Sequence, residues 1–383
     1  MADWHGNRSN ERWIFRKVSW PNYVEGDEIW QATGGSIENS ALSELRSSGS
    51  IDFEGASNPD DGKTSMVRVY YGFEDDEGSS AEEAVATLFY ECTEVRHKGG
   101  TVSGTLACNS PLKVLSDRFY GYPKTVKRGV NAVKRAKEML VEAGLKANCP
   151  DAGEYELRED RTFKGDVSWL EIVNELLLSA GYDELRVDAY GTVQVREAFD
   201  PECRAAAWAF SDGERSIMYP EVTHKEDWRE AHNVVRLNYW CDRFGIYGYA
   251  KNVSEENAMS VPNLGREKTL NEEESDLPGE EDEFGHYLVQ SAVETLKSRA
   301  AKRLKEEMTS VEHVKISHAF VPIGPQDAVD VDYTGLGERW HGFVENMRIQ
   351  FSPAAPCETT VVRSLDLDLE IETGGGIIFE KLD

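Results

Sequence analysis

Apolar and polar positions alternate with a period of two through most of this chain, and two stretches switch to a helical period. Between residues 12 and 106 the short period dominates. Arg12–Trp20 places Trp13, Phe15 and Lys17 against Ile14, Arg16 and Val18, and a Pro21-Asn22 turn follows. Ile51 and Phe53 share a face of Ser50–Glu54, and Val67–Tyr71 is a further strand. Ala84–Glu94 and Thr101–Cys108 flank His97-Lys98-Gly99-Gly100, which predicts a hairpin. Glu38–Ser43 reads as a short helix or a bulged loop. About six short strands with regular turn signals predict a small β-barrel or sandwich.

The middle of the chain has the helical period. Val126–Gly144 is predicted as a helix, with Val130, Val133, Ala136, Leu140 and Val141 as its stripe and Gly144 as its C-terminal stop. Pro150–Lys164 reads as a polar, acidic loop. Trp169, Ile172, Val173, Leu176 and Leu177 form the stripe of a second helix, ending at Ala180-Gly181. Two short strands follow. Leu185 and Val187 share a face, as do Val193 and Val195, and Asp188–Gly191 makes the turn. This αββ unit contains no catalytic side chain.

Residues 201–383 return to strands around one long helix. Ala231–Trp240 and Gly245–Asn252 are predicted to pair. The acidic run 271–283 reads as an exposed loop, since it lacks EF-hand ligand spacing. Tyr287–Met308 is an amphipathic helix with the stripe Val289, Val293, Leu296, Ala300, Leu304 and Met308. Four strand faces follow: Val314, Ile316, His318 and Phe320; Val329, Val331 and Tyr333; Phe343, Met347, Ile349 and Phe351; Leu365, Leu367, Leu369 and Ile371. Thr373–Phe379 reads as a flexible hinge with an apolar end.

Composition narrows the function classes. The chain has 383 residues, 42 basic and 70 acidic, for a net charge of −28. That balance opposes sequence-independent binding to nucleic-acid phosphates or to anionic membranes. The one basic stretch, Lys124 to Lys137, reads as a solvated or partner-facing helix. No run of some 18 apolar residues occurs, and the polar N-terminus shows no signal-peptide pattern. Six scattered cysteines form no CxxC, so neither a zinc site nor a disulfide framework is indicated.

Catalytic constellations are absent. The chain contains no GxSxG, HExxH, GxxxxGKS/T or GxGxxG. His313 and His318 point to opposite faces of one predicted strand and cannot share a metal. Asp27 and Glu38 have no placeable partner carboxylate, and His341 beside Trp340 offers at most a sugar contact. Asp330/Asp332 and Asp366/Asp368 put paired carboxylates on strand faces. No catalytic residue, cofactor or metal is assigned.

The order of these elements resembles the tail hub proteins of tailed phages and related contractile injection machines. That family comprises the baseplate hub of contractile phages and the N-terminal hub region of siphophage tail-associated proteins. The resemblance is carried by Arg46–Phe53, Trp169–Phe199, Asn233–Arg236, the helix Tyr287–Met308 with Val314–Phe320 and Gly324–Val331, and the closing hairpin Trp340–Phe351 with Pro353–Val362. It implies an α+β, mainly β fold: two tail-tube-like antiparallel β-barrels with an α/β insert and a long helix. The expected domains are 1–115, 116–200 and 201–383, the last ending in a flexible tail. The chain stops without the C-terminal peptidase or receptor-binding extension of many siphophage relatives, which argues against an enzymatic or a direct host-binding role.

The resemblance further implies a structural virion protein, not an enzyme. A homotrimer would close or adapt the end of the tail tube, with DNA passing through its channel. Implied partners are a tail tube or distal tail protein, the tape measure protein, and tip, spike or receptor-binding proteins. Its place would be the tail tip or baseplate, after assembly in the host cytoplasm. A carboxylate-lined lumen would repel passing DNA. Asp330, Asp332, Asp366 and Asp368 are candidate lumen or rim positions, and Ile377, Ile378 and Phe379 a candidate subunit contact. The competing readings are a particle-borne cell-wall hydrolase and a glycan- or receptor-binding β module.

Overall fold

The computed structural model describes residues 4, 8–59, 65–75, 77–150, 155–157, 160–197, 204–213, 216–226, 231–240, 245–255, 257–274, 289–309, 311–337, 339–352, 356–363, 365 and 367–376. The chain divides into two compact units. One comprises residues 1–222 and 315–361, the other 223–314 and 362–383. The fold is α+β and mainly β.

The larger sheet contains thirteen described strands. One continuous antiparallel run pairs Ala32–Ser40 with Ser47–Gly55, then Thr101–Asn109, Ser80–Lys98, Ser65–Asp75, Arg8–Ser19 and Val24–Glu28. On its other edge Ala32–Ser40 pairs with Arg339–Gln350, from near the other end of the chain. Strands from both sequence-predicted β regions therefore share one sheet. Among the described residues no pairing closes its path into a barrel.

Alternation drives this assembly, since strand residues two apart line one face. Val314, Ile316, His318 and Phe320 are all buried, as their spacing predicts. An aromatic cluster fills the same unit: the Trp13 ring lies 4.9 Å from Phe351, and Tyr71 lies 5.0 Å from Phe320. The predicted face Phe343, Met347, Ile349 and Phe351 needs correction. Trp340 and Val344 are buried, then Met347, Ile349 and Phe351, so the burial phase slips by one residue and Phe343 leaves the stripe. Glu38–Ser43 is corrected too. Residues 38–40 belong to the strand Ala32–Ser40, with Ile37 and Asn39 turned inward, because partners on both edges fix them as extended.

The insert has its own apolar core, drawn from residues 112 to 195. Its first helix is Ala132–Glu142, shorter than the predicted 126–144. Gly129 takes φ +79°, and the Asn131 side chain accepts a hydrogen bond from the Lys134 N–H, so the helix starts only there. Lys124–Val126 is instead a strand paired with Arg161–Phe163, part of the stretch read as a loop. Val141, assigned to the buried stripe, is 66% exposed. The second helix, Trp169–Ser179, carries a full capping box between Ser168 and Glu171. Arg186–Val187 and Val193–Gln194 form the expected hairpin, and the latter strand also pairs in parallel with Ala147–Asn148.

In the second unit four strands lie in the order Thr269–Glu274, Val234–Trp240, Gly245–Asn252 and Leu369–Gly376. The helix Val289–Thr309 packs on this sheet and fully buries Leu296, Ala300, Leu304 and Met308. Gly248 makes the approach possible, since a Cβ there would meet the Leu296 carbonyl oxygen at 2.8 Å. Two sequence expectations change here. Asn271–Glu274 is part of a strand parallel to Val234–Trp240, not a loop. Thr373–Gly376 is part of a strand paired with Gly245–Asn252, not a hinge. The rest of the acidic run, 275–283, lies outside the described residues.

Candidate functional surfaces

Asp330 sits in a strand flanked on both sides, opposite Ala209 and His341. Burial alone would raise its pKa, but hydrogen bonds from His341 and Arg339 outweigh that and hold it below the usual range. His341 Nδ1 lies 2.8 Å and Arg339 Nη2 2.5 Å from its oxygens. This carboxylate is therefore already paired with cationic or proton-donating neighbours. Asp332 is exposed, two residues along the same strand. Asp368 belongs to the second unit, where it is exposed; its N–H donates to Ser254 Oγ at 2.7 Å and its carbonyl accepts from the Val253 N–H. The structure thus brings Asp330 and Asp332 together. Asp366, Ile377, Ile378 and Phe379 lie outside the described residues.

A polar cluster that sequence reasoning missed fastens the insert hairpin to the first strands. Arg68 donates to Glu25 at 2.9 Å, to Thr87 Oγ1 at 2.9 Å and to the Tyr190 carbonyl at 3.1 Å. The Thr87 hydroxyl in turn donates to the Ala189 carbonyl at 2.8 Å. Glu25 also accepts from Arg16 and from the Tyr70 hydroxyl. Burial would raise the Glu25 pKa, but these donors pull it below its ordinary value. Arg46 adds contacts to Glu184 and to the Leu185 and Ala41 carbonyls. The available signal was a lone Arg68 inside the apolar run Met66–Tyr71, all of it buried. A buried guanidinium needs partners, and here they are the Glu25 carboxylate, the Thr87 hydroxyl and one turn carbonyl of the insert, that of Tyr190.

His318 is wholly buried and its pKa falls to about 4, chiefly through desolvation. Its ring nitrogens lie 2.7 Å from the Ala319 carbonyl and 2.7 Å from Thr359 Oγ1, so it is a satisfied neutral core residue. His313 lies on the opposite face of that strand. Among the described residues no group of three or more His, Cys, Asp or Glu could hold a metal. No described helix is long and apolar enough to cross a membrane.

A cleft of about 280 Å³ opens in the first unit between the insert hairpin, the strands around Asn39 and Thr87, and the turn at 320–327. Arg46, Arg186 and Arg196 are among its lining residues.

The fold has counterparts among solved structures. The chain is similar to the tail protein from Neisseria meningitidis MC58, with 14% identity over 92% of this chain and 97% of that one, at a TM-score of 0.65. It is similar to the 43 kDa tail protein of prophage MuSo2 from Shewanella oneidensis, with 13% identity over 92% and 98% of the two chains, at a TM-score of 0.60. A chain of the Francisella PdpA-VgrG complex matches at 6% identity over 94% of this chain and 59% of that one, at a TM-score of 0.55. No family model matches the sequence. No curated protein matches it either. The fold is that of phage tail proteins, as the resemblance in the sequence implies.

Proposed function

We propose that this protein is a non-enzymatic structural component of a phage tail: a hub at the distal end of the tail tube, built from three copies. The observation that carries this reading is the fold match. Two proteins described as tail proteins align over nearly their whole length and over 92% of this chain. The similarity to a chain of a PdpA-VgrG complex extends the same fold to a protein that works within a larger complex. Function then resides in surfaces, not in a pocket that performs chemistry.

In this reading the ring joins the tube to the tip and forms part of the path taken by DNA. Its neighbours are a tube or distal tail protein, the tape measure protein and a tip or spike protein, and it resides in the virion. The net charge of −28 supports passage without adhesion, because phosphate gains no counterion release from a carboxylate surface. Asp332 and Asp368, both exposed, are the strongest lumen or rim candidates. Asp330 contributes less, since Arg339 and His341 already face it.

A nonsense mutation in the gene, introduced into a phage that carries it, tests the role directly. Electron microscopy is expected to show heads without functional tails, and supplying the intact protein in trans should restore them. Normal tails in the mutant would refute the proposal.

A further inference from the structure

We infer, on the three-copy reading above, that the turn carrying Trp30 on one copy of this chain docks against the insert of a second copy, on the surface around Tyr122 and Val141. Trp30 is 80% exposed, the most of any large apolar side chain among the described residues. Its turn is held firmly. The Ile29 N–H donates to the Phe15 carbonyl at 2.6 Å, and the Glu54 N–H donates to the Gln31 carbonyl at 2.8 Å. Ile29 itself is buried. A large ring already fixed in place loses little freedom on docking, and tryptophan is enriched among residues that dominate interfaces. The charge around it is negative. Asp27 and Glu54 are exposed and Glu28 is half-buried, and none of the three has an ion-pair partner among the described residues. The nearby cations are already engaged: Lys17 by the Pro59 carbonyl at 2.8 Å, and Arg16 by Glu25 and Glu82.

The insert presents the complement. Residues 118–124 lie along the helix Ala132–Glu142: Arg118 donates to the Glu142 carbonyl and Arg135 to the Tyr120 hydroxyl, each at 3.1 Å. The Tyr120 and Tyr122 rings are 6.1 Å apart, and Lys124 Nζ lies 5.3 Å from the Tyr120 ring. Tyr122 is 58% and Val141 66% exposed. Lys134, Lys137 and Val141, three and four residues apart, share the outer stripe of the helix. The helix carboxylates Glu138 and Glu142 are taken by Arg135 and Arg118. Lys124, Lys134 and Lys137 have no ion-pair partner among the described residues. Lys164, Glu156 and Asp166 stand at the margin, and Asp160 is taken by Lys127, so the surface keeps a positive excess.

An aromatic side chain ringed by carboxylates fits an apolar surface with a basic rim, and this chain, at a net charge of −28, carries one such surface on its insert. The two faces do not meet within one copy. The strand Val24–Glu28 stands between them. Trp20, before its start, packs on the insert at Gly144, where a Cβ would lie 3.4 Å from the ring, whereas Trp30 lies beyond its far end, roughly 17 Å away. Complementary faces at opposite ends of one unit make a head-to-tail contact between copies, and such a contact closes into a ring when its rotation permits.

The test is a charge swap read by light scattering of the whole purified protein over a dilution series. Trp30→Ala should raise the concentration at which the trimer half-dissociates by about tenfold or more. Asp27→Lys with Glu54→Lys should weaken the trimer, as should Lys134→Glu with Lys137→Glu. All four side chains are exposed, so circular dichroism should stay that of the wild type. Combining the two pairs should restore association, because the attraction is then rebuilt with its signs exchanged. A trimer that none of these changes weakens would overturn the inference and leave the three-copy reading standing. Weakening by each pair without recovery in the combination would also overturn it, since the two faces would then belong to different contacts, one of them with another protein. A wild-type protein that stays monomeric at every concentration would overturn both.

Discussion

In the insert, the helix Trp169–Ser179 buries seven of its eleven residues, and its polar contacts gather at its N-terminus. In the second unit, the longer helix Val289–Thr309 buries a narrow stripe and reaches the sheet edge with charges. Arg299 meets Glu274 at 2.7 Å, and Arg303 meets Glu272 at 3.0 Å. Both are helices of an α/β layer, yet one is held by being surrounded and the other by one close face with ionic edges. The difference separates what apolar burial decides from what backbone approach decides. Burial stabilises each side chain by kcal/mol, whereas half-exposed ion pairs contribute only tenths to about 1 kcal/mol.

Truncating Trp169 should sharpen the contrast most. Its ring is 2% exposed and lies against the Arg118 guanidinium at 3.7 Å. Trp169→Ala is expected to cost about 3–5 kcal/mol. Peptide-level hydrogen exchange should show the loss of protection confined to residues 112–195, and loss spread evenly over the second unit would break the separation.

Acid should act on neither helix first. The folded-state pKa of His318 is depressed to about 4, below its ordinary value near 6.5. Its contribution is thus fully present above about pH 6.5 and is lost as pH falls toward 4, by up to about 3 kcal/mol. Denaturant titrations between pH 7 and 4 should lose that slope in His318→Gln; an unchanged slope would locate the titration elsewhere.

Gly248→Ala comes next, at about 1–3 kcal/mol, because its Cβ must displace the helix backbone at Leu296. Exchange should quicken in Val289–Thr309 while the insert is untouched. Ser168→Ala removes the capping box and should cost about 1 kcal/mol, read as fraying at the start of Trp169–Ser179. Arg303→Ala should be the mildest, within about 1 kcal/mol, since that side chain is 35% exposed. A loss matching that of Trp169→Ala would invert the comparison.

The same contrast explains what the sequence made legible. The helix stripes at 169–177 and 296–308 and the hairpin at 186–194 follow from local periodicity and turn chemistry, and the structure contains them. Elements decided by distant partners were misread. Asn271–Glu274 is acidic enough to look like solvent-facing loop, yet it completes a parallel pair whose inward carboxylates meet Arg299 and Arg303. Ala32–Ser40 extends through Glu38 because Arg339–Gln350 pairs on its second edge, which no local window reveals. The candidate surfaces were less legible still. Nothing near Asp330 in sequence announces that its charge is met by Arg339 and His341 across the strand. The cleft joins residues as distant as Asn39, Arg186 and Gln326.

The central claim is that three copies of this chain form one ring. Multi-angle light scattering of the purified protein, over a concentration series at neutral pH, tests it most directly. The account predicts a species of three times the 43.0 kDa chain mass that persists on dilution. A monomer at every concentration would contradict it.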